Sequence, residues 1–525
     1  MQYFDFHTHV ILKQLFDENP NIDAIISPGD VAGIPRLCTD LPNIIETQIH
    51  QSQLAEFSDE VIVGAVLYGL ESYLASAVIP LRPYLKGSSQ HKLSLQLLQD
   101  IADNKFHSYT DFAITRTFNS YLQASSSFNI LTNQSFNNPL PKNKVSVFFI
   151  VEGCHTFVNT INAVQLPAQR YDPQEILSNL DLLLQKAKVL AINVTHMQQS
   201  SLCNHAFGMQ IADVKPFYPH GNGLEDDGRT VIKGIMDRGI HVDLKHMSYK
   251  SRLDLRNEID AGKYSNTMPL VCTHTGFTGI PFSQWPGFMW ERRTIDDVWY
   301  IEMAKTMQVA NSPQRPGAPA FNMTTINLFD EEIVWIVKHG GMIGLSMDRR
   351  ILGYVSKYDD RPTGIHDDSS LIVDKEYFSK TEWTALGLPD AHGSLISDQD
   401  CVSMQDIEDS AEGSLPARNE YFYDHVLLHL KHFLQVCYRA QIPLAEAQRH
   451  ITIGSDFDGL INPFINFSTV QDMHDLKQYI DANFRIYAAA LTDSSEWAST
   501  FDFDLFTRQL FYQNGYDFVK SFFQR

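Results

Sequence analysis

Tyr3-Phe4-Asp5-Phe6-His7-Thr8-His9 is a short apolar run that stops on two histidines. It shows no strict alternation of apolar and polar positions, so it reads as a strand buried on both faces, as in a parallel sheet. In extended backbone the two-residue spacing turns both imidazoles to the same side, where they can share one metal ion. By itself the pair could equally be two unrelated surface histidines, and the rest of the chain has to decide.

Working outward, seven further runs of the same kind occur at residues 61–68, 145–151, 189–194, 240–244, 269–273, 342–345 and 451–454. Helical patterns lie between them. Asp172-Pro173 supplies an N-cap and a first-turn proline, and Ile176, Leu177, Leu180, Leu183 and Leu184 make one apolar helical face. Val231, Ile232, Ile235 and Met236 make another, which stops at Gly239 just before the next run. Eight strands alternating with helices predict an α/β chain folded as a (β/α)₈ TIM barrel.

Such a barrel needs roughly 250 residues, whereas the chain has 525. The excess is expected in insertions at the rim of one barrel domain spanning 1–525. Residues 82–143 are rich in Ser, Asn and Gln, residues 301–323 carry Pro313, Pro316 and Pro319, and residues 353–419 are polar and acidic. No repeat of fixed period is visible.

Composition narrows the function class. Hydrophobic residues make up 44% and charged residues 20%, an ordinary balance for a chain that buries a large core. The formal charge of -21 repels nucleic acid and anionic membrane surfaces. The most apolar stretch, 61–81, is interrupted by Gly64, Gly69 and Glu71 and reads as a strand followed by a helix, not a membrane span. Met1 runs directly into a strand pattern, without the regions of an export signal. Cys38, Cys154, Cys203, Cys272, Cys401 and Cys437 are scattered, as expected of reduced thiols in a cytoplasmic enzyme. These features predict a cytoplasmic protein with a small-molecule substrate.

The chemistry lies where the apolar runs stop. His7 and His9 follow the first run, Glu152 the third, His196 the fourth, His246 the fifth, His274 the sixth and Asp456 the eighth. In a parallel barrel these ends converge on one face, which is where active sites of this architecture are built. A carboxylate such as Glu152 directly after Phe149-Ile150-Val151 is costly unless it is paired or coordinated. Each of the others, alone, could be a rim residue satisfied by hydrogen bonds. Together they form a ligand set of imidazole and carboxylate without thiolate, which suits zinc, with manganese, iron or cobalt as alternatives. Asp456 is placed to take the proton of a water activated by the metal. Asp458, two residues on, reads as turn chemistry. His425, His429 and His432 have helical spacing along the edge of an apolar face, and a structural reading is preferred for them.

The segments Val151-Glu152-Gly153-Cys154-His155, Asn193-Val194-Thr195-His196, Val242-Asp243-Leu244-Lys245-His246-Met247-Ser248, Thr273-His274 and Gly454-Ser455-Asp456-Phe457-Asp458-Gly459 occur in this order. Their combination resembles the membrane (renal) dipeptidase family, peptidase family M19, within the amidohydrolase superfamily. The resemblance implies two divalent metal ions, typically zinc, bridged by Glu152, with His7 and His9 on one and His246 and His274 on the other. It implies Asp456 as the proton acceptor, His196 as the group that binds or polarises the carbonyl, and Arg293 as the guanidinium that binds the substrate's C-terminal carboxylate. It also implies a homodimer. His9 departs from the pattern, because the family usually has Asp at that position, and a neutral ligand leaves the site more positive. Three readings follow: a metallo-dipeptidase, a hydrolase of another amide, lactone or ester, and a non-catalytic metal-binding barrel.

Overall fold

The computed structural model describes residues 1–26, 47–57, 59–81, 93–159, 170–208, 217–305, 321–353, 373–390, 415–490 and 495–525. Its strands, in chain order, are β1 (Tyr3–Thr8), β2 (Val61–Tyr68), β3 (Phe128–Ile130), β4 (Val145–Glu152), β5 (Val189–Asn193), β6 (His241–Asp243), β7 (Val271–Thr275), β8 (Met289–Ile295), β9 (Val298–Ala304), β10 (Met342–Leu345), β11 (Val373–Ser379) and β12 (Ile451–Ile453).

Eight of them pair in parallel in the order β1-β2-β4-β5-β6-β7-β10-β12. They coincide, within a few residues, with the eight apolar runs. Between the outer members Thr8 bridges Phe457 in parallel, His9 N–H donates to the Phe457 carbonyl and Asp456 N–H to the His7 carbonyl, both at 2.9 Å. The sheet is thus a nearly closed (β/α)₈ barrel. β3 pairs with the start of β4, on the stretch that β5 does not reach.

The strands of the barrel are buried on both faces, which is why the runs do not alternate. Outside it, the helix Pro173–Leu184 is capped by the Asp172 carboxylate, which accepts from Gln174 N–H, and it buries Ile176, Leu180 and Leu183. The helix Asp226–Asp237 buries Val231, Ile232, Ile235 and Met236. The chain then turns at Gly239, with φ of 70°, into β6.

Inside the barrel the packing leaves almost no room. A Cβ on Gly344 or on Gly454 would lie 1.9 Å from the Thr273 carbonyl oxygen, so three neighbouring strands, β7, β10 and the end of β12, approach through backbone alone. Two buried carboxyls tie the interior together. Asp5 accepts from Ser455 N–H at 2.8 Å and from the Tyr3 hydroxyl at 2.7 Å. Asp243 accepts from Lys245 N–H, Thr273 N–H and the Thr273 hydroxyl. Burial pushes both carboxyls up to about 6 even though these donors favour the anion.

A second, three-stranded antiparallel sheet, β8-β9-β11, was not anticipated from the sequence. Its β8–β9 hairpin turns at Asp296 and Asp297, both with positive φ, 42° and 68°, the backbone of a tight two-residue hairpin. β11 joins β9 across seven paired residues and touches the barrel loops where Tyr377 N–H donates to the Phe207 carbonyl. Of the expected insertions, residues 82–92, 306–320, 354–372 and 391–414, including Pro313, Pro316 and Pro319, lie outside the described residues, as do Cys38 and Cys401. Cys154, Cys203, Cys272 and Cys437 are buried free thiols. Among the described residues no helix is long and apolar enough to cross a membrane.

Candidate metal centre

β1 carries His7 and delivers His9 one residue past its end, and both imidazoles turn to the same point, with ring centroids 5.4 Å apart. At that point sits Glu152, the last residue of β4. Its Oε1 lies 3.2 Å from His246 Nε2, 3.5 Å from His274 Nε2, 3.6 Å from His7 Nε2 and 3.7 Å from His196 Nε2, while Oε2 lies 3.3 Å from His9 Nε2. Asp456 closes the cluster, with Oδ1 3.6 Å from His9 Nε2 and 3.8 Å from His7 Nε2. Six of the eight barrel strand ends therefore meet, as the sequence pattern predicted. Two of these residues, His246 and Asp456, hold φ of 68° and 61°, a left-handed backbone that is strained for non-glycine residues and is tolerated where the position serves a site.

The donor set fits a divalent cation. Three overlapping groups have ligand atoms mutually within 4.8 Å: His7 with Glu152 and His274, His7 with His9 and Asp456, and Glu152 with His196 and His246. His7 and Glu152 each belong to two of the groups. His7 Nε2 is buried without a hydrogen-bond partner, while its Nδ1 is held by the Thr273 hydroxyl at 2.8 Å, so the ring is fixed with one nitrogen aimed into the cluster. His246 Nε2 and His274 Nε2 face each other at 3.1 Å, where a shared cation relieves two lone pairs that point together.

Electrostatics points the same way. Burial holds His7 and His274 well below the ordinary histidine range and lowers His246 to about 3, so these imidazoles are neutral, the form that binds metals. Burial alone would raise Glu152, but His196, His246, His9 and His7 around it outweigh that and hold it well below the usual carboxylate range. Asp456 goes the other way: burial and then repulsion from Glu152 and Asp348 raise it, against the weaker pull of Lys245 and Arg350.

The two strand ends that the sequence reading did not use also deliver polar groups. At the end of β2, the Tyr68 hydroxyl donates to Glu71 Oε2, and Glu71 Oε1 accepts from His196 Nδ1 at 2.5 Å. Burial would raise Glu71, but His196 and His155 outweigh it and lower it to about 2. The same pairing raises His196: burial opposes its charge, and Glu71 and Glu152 overcome that cost. After β10, the buried Asp348 carboxylate grips Arg350. The visible signal for both was the same as for the others, a charged residue shortly after an apolar run.

His9, Leu12, Tyr68, Leu74, Glu152, His196, Met197, His246, Arg350, Asp456, Gly459, Leu460 and Ile461 line a cleft of about 500 Å³ over the cluster. Arg293, the expected carboxylate anchor, is not among these residues. It lies on β8 with its guanidinium 4.5 Å above the Tyr300 ring, because its segment forms the antiparallel hairpin. Asp458 is structural: it accepts from Gln48 N–H at 2.7 Å and pairs with Lys13 at 3.2 Å. His429 is spent on Phe277 N–H and the Leu352 carbonyl, and His432 on Asp330, so this part of the histidine-edged helix does not reach the cluster.

No protein-family model and no curated protein matches the chain. Among solved structures, a metallo-peptidase from Rhodobacter sphaeroides, liganded with a phosphinate mimic of the dipeptide L-Ala-D-Ala, aligns over 99% of this chain and 98% of its own, with a TM-score of 0.50 and 14% identity. The chain shares the fold of that structure. A dipeptidase of peptidase family M19 aligns with a TM-score of 0.47 and 13% identity, over 100% of this chain and 99% of that one. An amidohydrolase from Pseudomonas aeruginosa aligns at 0.41 and 11%, over 90% and 92%.

Proposed function

We propose that the protein is a metal-dependent hydrolase that cleaves a dipeptide or a closely related small amide. The observation that carries this reading is the convergence of His7, His9, Glu152, His246 and His274 on one point at the floor of a cleft, with Asp456 beside them. These five residues would hold two divalent ions, zinc suiting the donors best, with Glu152 shared between them. When bound, such ions polarise a carbonyl and make water nucleophilic at neutral pH.

The chain's own residues account for the remaining steps. Asp456, whose burial raises its affinity for a proton, acts as the carboxylate that takes the proton of the attacking water and then returns it to the leaving nitrogen. His196 is held by Glu71 through Nδ1–H, and the two carboxylates Glu71 and Glu152 favour its imidazolium form, so Nε2–H is available to the substrate carbonyl oxygen as charge builds on it. Leu12, Leu74, Met197, Leu460 and Ile461 give the cleft an apolar wall against which small side chains pack and from which water is excluded. The neighbour that shares the fold was solved with a dipeptide mimic, which supports a substrate of that class here.

The test is metal analysis of the purified protein together with a substrate panel. Dipeptides, L-Ala-D-Ala among them, are assayed beside N-acyl amino acids and lactones. Dipeptide hydrolysis that is lost on chelation and restored by zinc is expected. Activity indifferent to metal removal, or turnover of lactones with no amide cleaved, overturns the proposal.

A further inference from the structure

We infer that Asp243 and Thr273 position one ligand of each ion. A single hydroxyl, that of Thr273, holds both His7 and His274 with Nε2 toward the cluster, so the two ion sites are organised through one group. This rests on the reading above, in which His7 serves one ion and His274 the other.

The hydrogen-bond capacity of Thr273 carries it. A hydroxyl has one hydrogen to donate and two lone pairs with which to accept. Thr273 Oγ1 has three partners: Asp243 Oδ2, His7 Nδ1 at 2.8 Å and His274 Nδ1 at 3.2 Å. The hydrogen goes to Asp243, whose other oxygen already accepts from Lys245 N–H at 3.0 Å and from Thr273 N–H at 3.2 Å. Both imidazoles must then donate, each placing Nδ1–H on one lone pair of Oγ1. That leaves each ring with Nε2 bare, and these are the atoms that lie 3.6 Å and 3.5 Å from Glu152 Oε1. His7 and His274 therefore receive tautomer and orientation from one oxygen. By contrast, His9 Nδ1 and His246 Nδ1 are buried with no hydrogen-bond partner among the described residues, so no such support serves the second imidazole of either ion.

The relay has little freedom to shift. Thr273 is fully buried, and a Cβ on Gly344 or Gly454 would lie 1.9 Å from its carbonyl oxygen, so neighbouring backbone closes in on it. The His7 and His274 rings stand 3.8 Å apart, centroid to centroid, and neither can swing away without displacing the other. Asp243 ends β6, Thr273 lies on β7 and His7 on β1, so one chain of hydrogen bonds ties three strands to the cluster. Loss of the group that holds a ligand imidazole by its second nitrogen lowers metal affinity about 10- to 100-fold. Here a single loss strikes both ions.

The experiment titrates zinc into the metal-free full chain against a chromogenic chelator, so that ion number and affinity are read without turnover. Thr273→Val keeps the shape of the side chain without the hydroxyl and is expected to weaken both ions, each by about 10- to 100-fold. Thr273→Ser, which restores the hydroxyl, should stay close to the wild type. Asp243→Asn presents an amide N–H where an acceptor stood, which takes up one lone pair of Oγ1 and leaves room to hold only one imidazole. One ion should then weaken far more than the other. Thermal melts of the metal-free proteins establish that the variants are folded; if Thr273→Val is not, the unequal loss in Asp243→Asn carries the test. Thr273→Val with wild-type affinity for either ion, Thr273→Ser that loses as much as Thr273→Val, Asp243→Asn that treats the two ions alike, or a wild type that takes up a single ion overturns the inference. If two ions bind through Thr273 yet no amide in the panel is cleaved, the inference stands and the hydrolase reading falls. Metal-dependent amide cleavage with both ions retained in Thr273→Val is the reverse.

Discussion

Glu71 and Asp456 are buried carboxyls at the same cleft, yet their surroundings drive them to opposite charge states. Two imidazoles hold Glu71 down to about 2, whereas burial and neighbouring carboxylates raise Asp456. Pairs of groups pushed apart in this way are how a single site obtains both a fixed charge and a proton carrier. Asp456→Asn should lower kcat by a factor of about 10² to 10⁴ while the metal content stays the same, checked by kinetics and elemental analysis on one preparation. A variant with full activity would remove Asp456 from proton transfer. Glu71→Gln should lower kcat by about tenfold to a hundredfold with little change in KM, because His196 loses the charge that orients it and keeps it protonated; Glu71→Asp should recover part of the loss. Should KM rise instead with kcat intact, Glu71 serves substrate binding and not His196. At this scale legibility was uneven. Residues directly at strand ends, such as Glu152 and His274, stood out because a polar group after an apolar run has few cheap explanations. Glu71 and Arg350 lie three and five residues beyond theirs, and only the folded loops show where they point.

The elements of the barrel were readable because a strand buried on both faces must be apolar throughout, and eight such runs admit few other arrangements. The antiparallel sheet escaped for the converse reason. β8 is largely exposed, with Glu291, Arg292, Arg293 and Thr294 in its middle, so it has no apolar run. Its turn is Asp296-Asp297, a weaker signal than Asn-Gly for a hairpin. The same Arg-Arg segment looked like a substrate motif because local sequence does not reveal that it pairs with Val298–Ala304. The close approach at Gly454 supplies a test of the barrel itself. Gly454→Ala puts a methyl onto the Thr273 carbonyl and must spread β7 from β12, which should lower the thermal midpoint by about 3 °C or more and weaken metal retention, since His274 follows Thr273. An unchanged melting curve would mean that the strands are further apart than described.

For the molecule as a whole, pH acts through carboxyls remote from the cluster as well as through the cleft. Glu376 and Glu382 are pushed up to about 7 by burial; Glu382 accepts from the Ser248 hydroxyl and Gly223 N–H and so joins the antiparallel sheet's helix to the barrel. In an unfolded chain such a group titrates near 4.5. Between these values the folded state holds a proton that the unfolded state has released. Their contribution therefore declines as pH rises from 4.5 to 7, and the full penalty is present above 7. Glu382→Gln should reduce the loss of stability between pH 5 and pH 8 by an amount on the order of 1–3 kcal/mol, measured by urea unfolding with metal held saturating. An identical slope in the variant would place the dependence elsewhere.

The seam between the first and last barrel strands has a consequence for biosynthesis. Asp5 and Ser455, 450 positions apart, are bonded partners, and His7 and His9 reach their full surroundings only when the segment around Asp456 arrives beside them. During translation, then, His7 and His9 leave the ribosome well before the segment around Asp456, and their pocket does not exist until that segment arrives. Until then the nascent chain offers histidines to the cell's metal pool without a place to keep an ion. Under the proposed function, metal capture would follow synthesis of the segment around Asp456, and a message cut short before residue 456 would yield a chain without the complete ligand cluster.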